Sequence, residues 1–160
     1  MTKSGITIDI PGFGELKLHY LVMDYNGTLA VDGSMIPGVK ELLAELSPVL
    51  RLYVITADTF GSAAKNLQDV DCDLKILRSS NQQAEKAEFV GSLGRHSVVA
   101  VGNGLNDALM LKNAALGISL IQKEGASSKT IINSDIVCTG VIDALELLKN
   151  PRRLTATLRK

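Results

Sequence analysis

Tryptophan is absent from this 160-residue sequence, and all aromatic residues together make up only 4% of it. So few aromatic side chains argue against a base-stacking surface for single-stranded nucleic acid. An excess of charge of one sign is also missing, because 17 basic and 17 acidic residues cancel. With no global field to attract polyanions, we expect neither nucleic acid nor an anionic membrane surface as a partner.

Long apolar runs are absent as well. No stretch approaches the ~20 residues that a bilayer-spanning helix needs, so we do not expect a membrane-embedded chain. The N-terminal segment MTKSGITIDIPGFG lacks the apolar block of a signal peptide. Cysteine is scarce too, and Cys72 and Cys138 stand apart, without the spacing of a metal site. That pattern favours reduced, buried thiols and a cytoplasmic location.

What the sequence does contain is a regular alternation of short apolar runs and helical patterns. Runs such as residues 98–101 do not alternate with polar residues, which is typical of strands covered on both faces. Strands that alternate with helices predict a three-layer, Rossmann-like α/β fold with a doubly wound, mostly parallel sheet. The predicted strands are YLVMD (20–24), RLYVIT (51–56), DLKIL (73–77), SVVAVG (97–102), LGISLI (116–121) and DIVCTG (135–140).

The helical segments carry their apolar residues on one face. In the first of them, Val39, Leu42, Leu43 and Leu46 share a face, and Pro37 suits its first turn. The remaining helices are predicted at about 59–70, 82–93, 104–113 and 141–149.

The two ends of the sequence complete the predicted organisation. ITIDI and LKLHY, separated by Pro11-Gly12 and Gly14, predict an N-terminal β-hairpin. We therefore expect one α/β domain over residues 1–150, followed by a solvated basic tail over 151–160 (PRRLTATLRK).

Polar residues stand where the predicted strands end, and ligands bind at that edge of a doubly wound sheet. Asp24 and Thr56 end the first and second strands, and the loop 102–107 (GNGLND) ends another. Each signal is weak alone. Asn26-Gly27 is a strong turn signal, Thr56 suits a strand, and a lone helical lysine such as Lys86 is usually solvated.

The order of these residues is more informative than any one of them. An acid, a threonine, a lysine and a polar glycine loop would converge at one rim of the sheet. Together they supply a nucleophile, a hydroxyl donor, a cation and a set of amides. Those are the parts that phosphoryl transfer needs, because catalysis there is mainly positioning and charge stabilisation.

These segments resemble the haloacid dehalogenase (HAD) superfamily. Residues 24–28 (DYNGT) are similar to its first motif, DxDGT, and Thr56 and Lys86 match its second and third motifs. Residues 102–107 are similar to the fourth motif, GDGxND. Within the superfamily, DYNGTLA, TAD, EKAEFV and GNGLNDALML most resemble the phosphorylation domain of P-type ATPases. The chain looks like a soluble, stand-alone relative of that domain.

The resemblance implies a role for each matching residue. Asp24 would attack a phosphoryl group and become a transient aspartyl phosphate, with Thr56 donating to it and Lys86 neutralising its charge. Asn106 would orient the phosphate side, and Asp107 would hold the metal shell or Lys86. The implied phosphate-binding residues are Gly27, Thr28, Thr56, Ala57, Lys86 and Asn106. The implied cofactor is Mg²⁺, held by Asp24, the Asn26 carbonyl, Asn103 and Asp107.

Two residues depart from the family pattern. Asn26 replaces the aspartate that serves as general acid and base in the family's phosphatases, so slow turnover is expected. Asn103 replaces the aspartate that usually supplies a direct Mg²⁺ carboxylate, so weaker metal binding is expected.

The spacing of the motifs bears on the substrate. Only 31 residues separate Asp24 from Thr56, and 29 separate Thr56 from Lys86, which leaves no room for a cap domain. The resemblance then implies an open site, closed by homo-oligomerisation or by a large substrate. A phosphorylated small molecule or a phosphoprotein is the expected partner.

Two interpretations other than a phosphohydrolase remain open. In the first, the chain is a catalytically degenerate module that binds a phosphorylated ligand or a protein. In the second, it docks on a membrane transporter, and this hypothesis rests only on the basic residues of 151–160.

Overall fold

The computed structural model of the protein describes residues 2–58 and 61–160. The strands in these residues are β1 (Ile6–Ile10), β2 (Gly14–Leu18), β3 (Tyr20–Asp24), β4 (Ala30–Val31), β5 (Ser34–Met35), β6 (Arg51–Thr56), β7 (Asp73–Ile76), β8 (Val98–Gly102), β9 (Leu116–Leu120) and β10 (Ile136–Cys138). The α-helices are α1 (Val39–Leu46), α2 (Ser62–Leu67), α3 (Gln82–Leu93), α4 (Ala108–Asn113), α5 (Ser128–Ile132), α6 (Val141–Lys149) and α7 (Arg152–Leu158). Two 3₁₀ turns, Arg95–Ser97 and Leu105–Asp107, lead into β8 and α4.

Six strands form the central sheet in the order β10-β9-β8-β3-β6-β7, and each neighbouring pair is parallel. From β3 the chain moves outward through β6 and β7, then returns to the other side for β8, β9 and β10. This is a doubly wound sheet, and all six predicted strands are present with small differences at their ends. The antiparallel β1–β2 hairpin was also predicted correctly.

The central strands are buried because helices cover both faces of the sheet. In β3, Leu21 and Met23 join the larger core, which includes residues of α1 and α6, while Val22 points to the core with α3 and α4. All three are 0% exposed. Two covered faces explain why these strands read as continuous apolar runs.

The helix α1 has the predicted face. Val39, Leu42, Leu43 and Leu46 are buried, and α1 packs against α6. Between β3 and β6 the chain adds only this helix and the two-residue strands β4 and β5, which pair as a small hairpin. That hairpin was not predicted, because strands so short leave no periodic signal. The short helix α5 was missed for the same reason.

The C-terminal segment corrects a prediction. Residues 151–160 are not a solvated tail, because α7 packs against α6 and β1 and Leu154 is 0% exposed. The Lys160 N–H also donates to the Pro11 carbonyl at 2.9 Å. The missed signal was the four-residue spacing of Leu154 and Leu158, which places both on one face of a helix.

Two further observations concern the helices. The helix predicted at 59–70 is observed as α2, and residues 59 and 60 lie outside the described residues. None of the helices in residues 2–58 and 61–160 combines the length and hydropathy that crossing a bilayer requires.

Candidate active site

Three strand ends define the candidate active site. Asp24 is the last residue of β3, Thr56 of β6 and Gly102 of β8. Because β3 pairs in parallel with both β6 and β8, these ends lie at one edge of the sheet. The winding of the chain reverses at β3, and doubly wound folds bind their ligands at such a switch point. The structure therefore brings together the strand ends singled out in the sequence.

Lys86 joins these elements. It lies in α3 and is only 1% exposed. Its Nζ donates to Asp24 Oδ1 at 3.0 Å, to Asp107 Oδ1 at 2.7 Å and to Asn106 Oδ1 at 3.3 Å. An ammonium group has three donor protons, and these contacts use all three. The alternative of a solvated helical lysine is wrong.

Asp107 holds Lys86 and the start of the loop 102–107 together. While its Oδ1 accepts from Lys86, its Oδ2 accepts from the N–H groups of Asn103 and Gly104, each at 3.0 Å. The Asp107 side chain is 0% exposed. A Cβ on Gly102 would lie 2.5 Å from the Asp107 carboxylate, so glycine at that position leaves the room this carboxylate needs.

The buried charges shift one another's protonation. The pKa of the Asp24 carboxyl is raised to about 7, chiefly because burial disfavours its charged form and secondly because Asp107 repels that charge, while Lys86 opposes the shift. Burial alone would lower the pKa of Lys86, but the two carboxylates outweigh it and the net shift is upward. Lys86 is therefore cationic at neutral pH. A further positive charge at this edge would favour the ionised form of Asp24.

The segment after β3 folds back on the Tyr25 carbonyl. That oxygen accepts hydrogen bonds from the N–H groups of residues 28–30. Gly27 has a φ of +79°, in the left-handed region that glycine adopts readily. The turn leaves Asn26 exposed at the rim and buries Thr28. The turn predicted from Asn26-Gly27 is thus part of the site rather than an alternative to it.

The second strand end is also hydrogen-bonded. Thr56 is 2% exposed, and its Oγ1 accepts from the Asp58 N–H at 3.0 Å. The Asp58 carboxylate in turn accepts from Ser62 Oγ at 2.9 Å and from the Ala63 N–H at 2.8 Å, where α2 begins. Ala57 lies exposed between Thr56 and Asp58. A threonine hydroxyl that accepts one bond still has a proton to donate to a ligand.

Asn103 faces the turn after β3. Its Oδ1 accepts from Thr28 Oγ1 at 3.4 Å, and its Nδ2 donates to the Gly125 carbonyl at 3.1 Å. The Asn103 backbone carbonyl accepts from the Ser127 N–H at 2.9 Å. The segment after β9 therefore supports both the side chain and the backbone of this residue.

Gln122 is a site residue that the sequence analysis missed. Its Nε2 donates to the carbonyls of Gly27 at 3.1 Å and Thr28 at 3.0 Å, and its Oε1 accepts from the Val141 N–H at 2.8 Å. The available signal was its position. Gln122 follows β9, a parallel strand that ends at the same edge of the sheet as Asp24.

Solved structures share this architecture. The 3-deoxy-D-manno-octulosonate 8-phosphate phosphatase of Moraxella catarrhalis, in complex with magnesium, phosphate and KDO, is 18% identical with a TM-score of 0.65. The match covers 87% of this chain and 90% of that one. A phosphoserine phosphatase in its apo form is 15% identical with a TM-score of 0.65, over 83% and 98% of the two chains. The chain has the HAD fold. At these identities the likeness establishes the fold alone.

Sequence relatives of this chain include two proteins from Methanocaldococcus jannaschii. It is 60% identical over 62 residues to the uncharacterized protein MJ0073, which is 39% of this chain and 67% of that protein. It is 44% identical over 39 residues to the uncharacterized protein MJ0072, which is 24% of this chain and 89% of that protein. The chain belongs to the same family as these two proteins. No family model matches the sequence.

The predicted likeness to P-type ATPases is confirmed at the sequence level. The probable copper-exporting P-type ATPase of Archaeoglobus fulgidus is 34% identical over 114 residues. That segment is 69% of this chain but only 13% of the transporter. The chain therefore corresponds to a small part of the transporter's length, and the likeness is to one segment of it.

The residues present fit the magnesium ion that the HAD fold implies. Among residues 2–58 and 61–160, no three His, Cys, Asp or Glu side chains form a group that could hold a metal ion, so a site here would also use backbone and amide oxygens. Asp24, the Asn26 carbonyl and the Asn103 amide oxygen are such donors, and hard oxygens suit Mg²⁺. A Cβ on Gly27 would lie 2.5 Å from Asn103 Nδ2 and 2.8 Å from Asn103 Oδ1, so the glycine leaves a polar cradle there. Asp107 contacts Lys86, the second of its two predicted roles.

Proposed function

We propose that the protein is a Mg²⁺-dependent phosphohydrolase or phosphotransferase that acts through an aspartyl phosphate on Asp24. The observation that carries this proposal is the buried contact of Lys86 Nζ with Asp24 Oδ1 at 3.0 Å. A buried lysine fixed against a carboxylate at a strand end is suited to a phosphoryl group that arrives on that carboxylate.

The chemistry runs in two steps. An ionised Asp24 carboxylate oxygen forms a bond to phosphorus while the bond from phosphorus to the leaving oxygen breaks, and the leaving oxygen takes up a proton from solvent water. A second water then attacks the phosphorus and gives up a proton to solvent, the bond to Asp24 breaks, and inorganic phosphate and the carboxylate are released. If an alcohol takes the place of water, the same site transfers the phosphoryl group instead.

The surrounding residues stabilise charge on the transferred group. Lys86 is already oriented by Asp107 and Asn106, so it needs no reorganisation when negative charge develops. The buried Thr56 hydroxyl would donate to a phosphoryl oxygen. A Mg²⁺ ion held by Asp24, the Asn26 carbonyl and the Asn103 amide oxygen would neutralise phosphoryl oxygens.

Proton transfer is the weak point of this site. Asn26 stands two residues after the nucleophile, exposed at the rim, and an amide cannot carry the proton that a carboxylic acid would. General acid–base catalysis is typically worth about 10²–10⁴-fold in rate. We therefore expect slow turnover, or a long-lived phosphoenzyme, with a phosphorylated small molecule or a phosphoprotein as substrate.

The experiment that tests the proposal compares the wild type with Asn26→Asp and Asp24→Asn on an aryl phosphate with Mg²⁺, with intact-mass detection of the phosphoenzyme. We expect Asn26→Asp to gain activity and Asp24→Asn to have none. Turnover that survives Asp24→Asn would contradict the proposal.

A second candidate function is supported by the two amides at Asn26 and Asn103. With amides in place of carboxylates at these two positions, the site could bind a phosphorylated ligand or a protein without turning it over. Three inert proteins and no phosphoenzyme, together with measurable affinity for inorganic phosphate, would favour this binding function.

A further inference from the structure

One turn outside the HAD motifs lies against the candidate active site. The Gly125 N–H donates to the Gln122 carbonyl at 2.9 Å and closes a tight turn after β9, hereafter the 122–125 turn. Lys123 and Glu124 occupy its two central positions, and both are exposed. Neither residue belongs to a motif, and the mechanism above uses neither.

The 122–125 turn is fixed at both ends to the two loops of the site. At its start, the Gln122 side chain donates to the carbonyls of Gly27 and Thr28. At its end, the Gly125 carbonyl accepts from Asn103 Nδ2. The tip that carries Glu124 is therefore held in a fixed relation to the site.

The Glu124 carboxylate faces the cradle at Gly27. A Cβ built on Gly27 would lie 2.5 Å from Glu124 Oε2, 2.5 Å from Asn103 Nδ2 and 2.8 Å from Asn103 Oδ1. The Glu124 carboxylate and the whole Asn103 amide group thus line one small space, and both of them offer it an oxygen. That space adjoins the peptide bond between Asn26 and Gly27, and the carbonyl of that peptide is one of the proposed cation ligands.

Without Glu124, the site carries too little negative charge to balance the two positive charges of a divalent cation. Lys86 neutralises one of the two buried carboxylates, Asp24 and Asp107, so these three groups carry one net negative charge when ionised. Asn103 adds none. The Glu124 carboxylate brings the total to two negative charges, which match the charge of Mg²⁺.

We propose that Glu124 supplies the carboxylate that Asn103 lacks and holds the divalent cation, either directly or through a water that Mg²⁺ retains. The inference rests on the proposed function, because it concerns the cation of the same site. It replaces a ligand expected on the loop after β8 with one from the turn after β9.

The test is calorimetric titration of the full chain with Mg²⁺ alone, with no phosphorylated compound present, for the wild type, Glu124→Gln and Glu41→Gln. Glu41 lies exposed on α1, and its substitution removes the same charge from another surface. We expect Glu124→Gln to bind Mg²⁺ about 10-fold or more weakly, and Glu41→Gln to bind as the wild type does. The same ranking is expected for the rise in Tm that Mg²⁺ produces.

Three outcomes would overturn the inference. Equal affinity of the wild type and Glu124→Gln would show that Glu124 is not a ligand, and the aryl phosphatase test of Asp24 would stand unaffected. Equal affinity with an altered pH profile of turnover would assign Glu124 to proton transfer. A wild type that binds no Mg²⁺ would contradict both this inference and the magnesium dependence of the proposed function. Detection of a phosphoenzyme would still test whether Asp24 is the nucleophile.

Discussion

The two halves of the site are held by different means. In the ion-pair half, Lys86 contacts Asp24 and Asp107, and its ammonium group is fully used within the protein. In the amide half, which contains Asn26 and Asn103, the Asn103 side chain donates to the Gly125 carbonyl, and Gln122 donates to the carbonyls of Gly27 and Thr28 that follow Asn26. Removing the Lys86 charge from the ion-pair half would leave two carboxylates buried without a cation, which is expensive. The amide half carries no such constraint, so neutral residues there cost the fold little.

The largest effect we expect comes from breaking the ion-pair half with Lys86→Met. Two carboxylates would then share a buried site without a cation, at a cost of about 3–5 kcal/mol in the free energy of unfolding. Urea unfolding measures this cost, and Lys112→Met, at an exposed position on α4, is the control. Equal stability of the two variants would contradict our account of this half.

In the amide half, Gly27→Ala tests the cradle. Alanine would be strained at φ +79°, and its Cβ would lie 2.5 Å from Asn103 Nδ2 and Glu124 Oε2. Gly33→Ala is a matched control, since Gly33 has the same φ and nothing within 4 Å of its Cβ position. We expect Gly27→Ala to cost about 1–3 kcal/mol more than Gly33→Ala in thermal unfolding. Equal costs would mean that backbone strain alone matters at Gly27.

Gln122→Ala tests whether the turn after β9 supports this half. The carbonyls of Gly27 and Thr28 and the Val141 N–H would lose their partner, for about 1–2 kcal/mol. Aryl phosphatase activity should fall as well, because the turn after β3 carries the Asn26 carbonyl. Gln68→Ala, at an exposed position after α2, should leave both unfolding and activity unchanged. If Gln122→Ala behaves like that control, Gln122 does not support the turn after β3.

The last expected effect has the opposite sign, a gain of stability in Asp24→Asn. The Asp24 pKa is about 7 in the fold against an ordinary value of 3.8, so the folded state takes up a proton between these pH values. The wild type should therefore lose stability as pH rises from about 4 to about 7, and the asparagine variant should not. In cation-free buffer we expect Asp24→Asn to be more stable than the wild type at pH 8 by a few kcal/mol, with the gap closing towards pH 4.

The control for this pH series is Asp69→Asn, an exposed position after α2. A gap between Asp24→Asn and the wild type that does not change with pH would contradict the origin we give for it.

Much of the fold could be predicted from the sequence because local signals and tertiary structure agree. Apolar runs such as β3 and β8 are covered on both faces, and the Leu42–Leu46 face of α1 is the face that packs. The Asp24 and Thr56 positions followed from the same reasoning, because parallel strands end at a common edge. The contact of Lys86 with Asp24 could be predicted only from the family resemblance, because nothing in the local sequence indicates that a lysine in a helix is buried.

The rest depended on contacts between segments far apart in the chain. Gln122 and Glu124 lie nearly a hundred residues from the turn they approach, and no periodicity links them to it. The packing of α7 was not predicted, because the basic residues of 151–160 indicate a solvated segment although Leu154 and Leu158 share one helix face. In both cases the position of a short segment depends on the residues that it packs against, and local secondary-structure propensity does not predict those contacts.

The central position of β3 bears on how the site moves. This strand is hydrogen-bonded to a neighbour on each side and is buried on both faces. Its amide protons should exchange with solvent only when the whole domain unfolds, whereas the segments after β3 and β9 can open separately. We therefore expect Asp24 to be attached to the most slowly exchanging part of the chain. Under the proposed function, substrate entry and product release would then depend on the two loops around it.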